Sequence, residues 1–150
     1  MKLPQDASFI WKGGYFLAIF FRRIFCNLQV YGGEHVPRQG GCILTCNHNR
    51  GPDFLLLAWG TQRQIYFMAK IEAFQIHPII SKILQWGGVF PVRRGARDQD
   101  AIEGAVEVVK SGKMLGMYPE GTRSRAGVLQ RGKSGAARLA MQTGAPVVPA

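Results

Sequence analysis

The sequence predicts a three-layer α/β/α sandwich with a largely parallel or mixed sheet, preceded by an N-terminal interfacial helix. Three observations carry that prediction. Short apolar runs alternate along the chain with longer stretches whose apolar residues recur at helical spacing. Glycine, proline and other turn residues punctuate the junctions between them. The 150 residues suffice for one domain with a core of its own and are too few for two. The expected organisation is an amphipathic helix within residues 1–27 and one domain over residues 28–150. An apolar strand at residues 146–150 ends the chain with nothing after it to cover it, so we expect a C-terminal truncation.

Residues 9–25 are dense in Phe, Ile, Trp and Tyr, interrupted by Lys12, Arg22 and Arg23. The uncharged stretch 13–21 falls short of the roughly 20 residues that a spanning helix requires. Wound as a helix, Lys12 and Arg23 lie about three turns apart on one face, leaving a broad aromatic and apolar surface. That profile suits a helix in a membrane interface with its basic edge towards anionic headgroups, peripheral or monotopic on the cytoplasmic side. The alternative is a helix buried against the domain's own sheet. Asp6 and the lack of an Ala-x-Ala-like site argue against a cleaved signal peptide.

Further along, Leu28, Gln29, Val30 and Tyr31 alternate like a short strand that stops at Gly32-Gly33, and Pro37 with Gly40-Gly41 marks a loop. Residues 42–46 read as a buried strand that delivers Asn47 and His48 to its carboxyl end. Pro52 suits a first helical position, and residues 53–59 continue as an apolar helix closed by Gly60. Residues 64–69 are the next strand. Residues 74–86 read as helix with a potential break at Pro78, and Gly87-Gly88 releases a strand at 89–92. Asp100 and Glu103 suit a capping box, Ile102, Val106 and Val109 fall at helical spacing, and Gly112 ends that run. A strand at 114–118, a helix at 134–143 ended by Gly144, and a strand beginning at Val147-Val148 complete the series.

Nineteen Lys and Arg against nine Asp and Glu leave a formal charge of +10, which implies an anionic partner. Nucleic acid, an acidic membrane, an acidic carrier protein or a phosphorylated metabolite would each fit. The apolar and aromatic content, with no charged tail, points away from nucleic acid. Cys26, Cys42 and Cys46 are an odd number without scaffold spacing and suit a reducing compartment. Cys42, Cys46 and His48 lack a fourth partner for zinc and read as small buried hydrophobes beside a histidine.

The chemistry-bearing residues cluster at strand ends. His48 at one strand end and Asp53 in the first turn of the following helix can form a general base with its orienting acid. The helix N-terminus favours the ionised carboxylate, which fixes the imidazole tautomer. A structural His-Asp hydrogen bond is the plain alternative at this spacing. His35 reads as a loop residue and His77 as a helix-start residue.

In Tyr118-Pro119-Glu120-Gly121-Thr122-Arg123-Ser124-Arg125, Gly121 admits a close ligand, Thr122 offers a hydroxyl and Arg123 a planar fork for phosphate oxygens. Glu120 holds arginines or binds a substrate hydroxyl. Arg93 and Arg94 follow another strand, and Lys133 lies in the turn before a helix N-terminus suited to anions. Three strand ends thus bring polar or basic groups to the sheet edge where α/β domains bind ligands. No Gly-x-x-x-x-Gly-Lys-Ser/Thr or Gly-x-Gly-x-x-Gly run occurs, so nucleotide-hydrolase and dinucleotide readings lack support.

At these residues the chain resembles the glycerolipid acyltransferase family. Asn47, His48 and Asp53 match its first motif, Val89 to Arg94 its second with Arg94 as the family arginine, Pro119 to Ser124 its third without a change, and Ala145 to Pro149 its fourth. Arg50 stands where many members carry serine and Arg93 where many carry aspartate, departures that bear on the acceptor. The resemblance implies transfer of a fatty acyl group from acyl-CoA or acyl-carrier protein to the free hydroxyl of 1-acyl-glycerol-3-phosphate at an anionic membrane surface. His48 and Asp53 would be catalytic. Arg94, Arg123 and Lys133 would bind the acceptor phosphate, with Glu120, Gly121 and Thr122 shaping the site. No metal and no cofactor beyond the acyl donor is implied.

Competing readings keep the fold and change the acceptor to glycerol 3-phosphate, a lysoglycolipid or an acyl amine, or make the chain a non-enzymatic basic membrane-binding module. An ester or thioester hydrolase would need a Gly-x-Ser-x-Gly elbow or a cysteine placed as nucleophile, and the sequence offers neither.

Overall fold

The computed structural model describes residues 7–25, 29–49, 53–92, 99–124 and 128–150. Five strands, β1 (Cys42–Thr45), β2 (Ile65–Lys70), β3 (Val89–Val92), β4 (Met114–Met117) and β5 (Val147–Pro149), form one sheet in the order β3-β2-β4-β1-β5. Every pairing is parallel, which resolves the parallel-or-mixed expectation. Among the described residues six α-helices connect or flank them: α1 (Phe9–Phe25), α2 (Asp53–Thr61), α3 (Glu72–Gln75), α4 (Pro78–Trp86), α5 (Gln99–Lys110) and α6 (Gly135–Thr143).

The strands are short apolar runs because both faces are covered, as parallel sheets require. Alternate side chains serve opposite cores. Ile43 and Leu115 face Ala105 and Val109 of α5 and Ala136 and Leu139 of α6. Cys42, Leu44 and Met114 face the other way with Ile65, against Leu57 and Ala58 of α2. The result is the expected three-layer sandwich.

The topology positions the site. β4 inserts between β1 and β2, with Thr45 opposite Met117 in register. Two segments about seventy residues apart, the one leaving β1 and the one leaving β4, therefore emerge side by side at the carboxyl edge of the sheet. At the opposite edge Arg63, 7% exposed, staples the entering loops together. Its guanidinium donates to the carbonyls of Pro37 (2.6 Å), Gly40 (2.9 Å) and Gly112 (3.1 Å).

Two local expectations need correction, and one is borne out. Gln29, Val30 and Tyr31 belong to no strand, and Leu28 lies outside the described residues. Alternation alone supplies no ladder partner: both sides of β1 are already taken by β4 and β5, and Val30 and Tyr31 are exposed. The potential break at Pro78 is present: α3 and α4 are separate helices, because the residue before Pro78 is driven extended. His77 (φ −161°, ψ 140°) caps α4, its Nδ1 accepting from the Ile79 amide at 3.2 Å. The helix α5 already includes Gln99, so Asp100 is inside the first turn and not the cap. Smaller shifts occur at α2, which runs through Gly60 to Thr61 before Gln62 turns at φ 54°.

Helix α1 matches its expected span and splits the two readings of it. Ala7, Trp11, Tyr15 and Ile19 make one stripe, with the Trp11 and Tyr15 rings stacked 5.1 Å apart. The helix packs chiefly against α2 and α4. Phe9, Phe16, Leu17, Phe20 and Ile24 stay exposed. Ser8 ties its start to the end of α4, its hydroxyl donating to the Trp86 carbonyl at 2.5 Å. Among the described residues no helix is long and apolar enough to cross a membrane.

Candidate active site

The chain leaves β1 through Cys46 and Asn47 and reaches His48, whose carbonyl accepts from the Ser124 amide at 2.7 Å. That bond ties the first motif to the third. The imidazole Nδ1 lies 2.7 Å from Asp53 Oδ2, with both side chains mostly shielded. Asp53 opens α2, where the helix N-terminus stabilises its negative charge. Among the described residues three further donors fix its carboxylate: the Asn49 amide to Oδ2 (3.1 Å), the Phe54 amide to Oδ1 (2.9 Å) and the Tyr118 hydroxyl to Oδ1 (3.3 Å). With Nδ1 facing the carboxylate, Nδ1 carries the proton and Nε2 is the nitrogen left to act on a substrate.

Tyr118, directly after β4, was not singled out by the sequence reading. Its ring stacks on the His48 imidazole at 3.9 Å between centroids and 15° between planes. Phe67 of β2 stacks behind it at 6.1 Å and 13°. The signal available in the sequence was an aromatic immediately before Pro119-Glu120-Gly121. Its partner could not be inferred without the β1-β4 pairing. Burial, then the Asp53 carboxylate, pushes the Tyr118 hydroxyl far above the usual phenol range, so it remains a donor throughout the neutral range.

The third motif turns back immediately, with the Gly121 amide donating to the Tyr118 carbonyl at 2.9 Å. Gly121 has φ +69°, and the Lys133 side chain lies across it, so that a β-carbon there would sit 2.9 Å from Nζ. Glycine is thus required by conformation and by space. The Lys133 amide donates to the Pro119 carbonyl at 2.8 Å, which brings the lysine to the motif. Thr122 and Arg123 are exposed beside it. Arg94, Arg93 and Arg50, together with Gly51 and Pro52, lie outside the described residues.

Glu120 is 5% exposed, and neither carboxylate oxygen has a hydrogen-bond partner among the described residues. The expectation that it holds an arginine finds no such pairing there. It lines a cavity of about 250 Å³ with Thr45, Cys46, Asn47, Pro119 and Pro149. A larger hollow of about 530 Å³, lined by residues including Glu103, Glu107 and Gln142, contains none of the sequence-predicted site residues. Burial, then the Asp53 and Glu120 carboxylates, pushes the Cys46 thiol up, so it is a poor thiolate nucleophile. Among the described residues no group of three or more His, Cys, Asp or Glu side chains is arranged to hold a metal.

Residues 27–150 match the family profile described as Acyltransferase. The chain belongs to the acyltransferase family. It is 34% identical over 125 residues to a 1-acyl-sn-glycerol-3-phosphate acyltransferase of Bacillus subtilis, covering 83% of this chain and 61% of that protein. It is 36% identical over 129 residues to the chloroplastic 1-acyl-sn-glycerol-3-phosphate acyltransferase BAT2 of Brassica napus, covering 83% and 37%. Its fold is similar to the crystal structure of the 1-acyl-sn-glycerophosphate acyltransferase PlsC from Thermotoga maritima. That match has a TM-score of 0.77 and 26% identity, and covers 93% of this chain and 56% of that one. The chain therefore spans about half to three-fifths of the bacterial relatives' length and brings to this acyltransferase fold a His-Asp pair beside a cationic turn.

Proposed function

We propose that this acyltransferase domain moves a fatty acyl group from acyl-CoA or acyl-carrier protein to the free hydroxyl of 1-acyl-glycerol-3-phosphate, making phosphatidic acid. The observation that carries the reading is the 2.7 Å contact between His48 Nδ1 and Asp53 Oδ2, which leaves Nε2 free at the carboxyl edge of the sheet. Nε2 takes the proton of the acceptor hydroxyl as its oxygen attacks the thioester carbonyl carbon. The tetrahedral oxyanion collapses, the C–S bond breaks, and the imidazolium returns its proton to the departing thiolate. Asp53 holds the ring and stabilises its transient charge.

Lys133 and Arg123 supply cations for the acceptor phosphate, and Arg94 joins them on the family pattern. Gly121 lets the phosphate approach the backbone, and Thr122 adds a hydroxyl. A bilayer is the natural source of a single-chain acceptor. The exposed faces of α1 (Phe16, Phe20, Ile24) and α4 (Ile79, Ile83, Trp86) suit its surface, and neither helix contains an acidic residue. Arg23 and Lys82 add positive charge, which favours the anionic cytoplasmic leaflet.

The bare carboxylate of Glu120 favours one alternative acceptor, glycerol 3-phosphate, whose second hydroxyl would give it a donor. Assaying labelled acyl-CoA and acyl-carrier protein against a panel of lysolipids and glycerol 3-phosphate decides between them. Turnover of lysophosphatidic acid above the others supports the first reading. Turnover of another acceptor with none of lysophosphatidic acid replaces it.

A further inference from the structure

We propose that Tyr118 is a positioning residue for the His48–Asp53 pair, its ring setting the imidazole plane and its hydroxyl holding Asp53. The proposal rests on the reading of His48 as the base. It starts from three elements that meet at Tyr118. His48 follows β1, Asp53 begins α2, and Tyr118 follows β4. The contact between His48 and Asp53 holds one nitrogen of the imidazole, and a face-on neighbour is needed to fix the plane of the ring.

Tyr118 fixes both partners at once. Its face lies parallel to the imidazole at 3.9 Å, which permits one plane for the ring and blocks rotation out of it. Its hydroxyl donates to Asp53 Oδ1 at 3.3 Å, while Oδ2 accepts from His48 and the Asn49 amide. The carboxylate is thereby oriented by groups from two directions, the start of its own helix and the end of β4. Tyr118 is itself held from behind by Phe67, and Phe67 is T-shaped against Phe54, the residue after Asp53. The packing closes a ring of contacts around the pair.

The same ring has an electrostatic use. His48 gains a positive charge when it takes the acceptor proton, and a π face lies directly against it. Charge and geometry therefore act in the same direction. A misoriented imidazole would present Nε2 away from the hydroxyl, and a displacement of about 1 Å can lower turnover on the order of a hundredfold. The effect should fall on kcat, because the contacts of the Tyr118 side chain that bear on the reaction are its stack on His48 and its hydrogen bond to Asp53.

The test compares Tyr118→Phe, Tyr118→Leu and Tyr118→Met with the unaltered protein, using steady-state transfer from acyl-CoA to lysophosphatidic acid and proton NMR of the imidazole Nδ1–H. His48→Ala assigns that resonance. Phenylalanine keeps the stack, so kcat should remain within about tenfold and the Nδ1–H signal should persist. Leucine and methionine remove the stack, so kcat should fall on the order of a hundredfold with KM little changed, and the signal should broaden into exchange. Methionine fills a similar volume and serves if the leucine variant does not fold.

An unchanged kcat in a folded leucine or methionine variant would overturn the proposal. So would a reduced kcat with an undisturbed Nδ1–H signal, or a phenylalanine variant as impaired as leucine. Retained transfer in His48→Ala would instead refute the base reading, while the NMR comparison would still report whether Tyr118 orders the ring.

Discussion

The ring of Phe67 occupies the space that a side chain at Gly116 would need, and the two residues are paired across β2 and β4. A β-carbon at position 116 would overlap that ring and lie 2.7 Å from Ile65 Cγ2. Gly116→Ala should therefore push Phe67 towards Tyr118 and disturb the stack against His48. The expected result is a loss of about 1–3 kcal/mol in chemical denaturation, together with a several-fold fall in kcat. A variant with normal stability and turnover would show that the sheet tolerates the methyl group and that the stack is not tightly packed.

Arg63 makes a contrasting prediction, because its bonds lie at the edge of the sheet opposite the active site. Arg63→Met strips donors from the carbonyls of Pro37, Gly40 and Gly112. Stability should fall by about 2–4 kcal/mol, measured by urea unfolding. Turnover at a temperature where the variant stays folded should match the parent. A fall in kcat without a fall in stability would contradict this division of labour.

Much of the architecture was legible in the sequence. The strands at 42–45, 89–92 and 114–117 are continuous apolar runs bounded by turn residues, and both faces of a parallel sheet demand such runs. His48 and Asp53 were legible because a strand end and a helix start put them within reach of each other. Strand order was not, since no local pattern says that β4 inserts between β1 and β2. Tyr118 and Arg63 were missed for that reason: each acts on residues that only the sheet brings near. The strand expected at 28–31 is absent over its described residues 29–31 from the same cause, alternation with no ladder to join. The burial of Glu120, with no hydrogen-bond partner for its carboxylate among the described residues, could not be read from a motif rich in arginines.

The phosphate-binding role of Lys133 predicts a change in affinity more than in chemistry. Lys133→Ala should raise KM for lysophosphatidic acid about tenfold or more, as expected for a lost charge-assisted hydrogen bond, with a smaller effect on kcat. Gly121→Ala should act in the same direction, since its side chain would displace the lysine from a backbone already at positive φ. Unchanged KM in both would place the phosphate elsewhere.

The fold holds protons on Cys46 and Tyr118. Unfolded, the thiol ionises near 9.0 and the phenol near 10.0, whereas in the native state both values are raised. Above those values the unfolded chain binds fewer protons than the native one, so stability falls as pH rises and is fully retained below about pH 8. Urea midpoints measured from about pH 8 to about pH 11 should decline, and Tyr118→Phe should flatten the upper part of the decline. A level profile would contradict the raised values. Cys46→Ala should keep full turnover, since the thiol has no nucleophilic task.

The most direct measurement is acyl transfer by His48→Ala at saturating lysophosphatidic acid and acyl-CoA, with binding to anionic vesicles recorded on the same preparation. The account predicts a loss of about 10²- to 10⁴-fold in kcat, the range for removing a positioned general base, with vesicle binding unchanged. Turnover within a few-fold of the parent would contradict the assignment of His48 as the base.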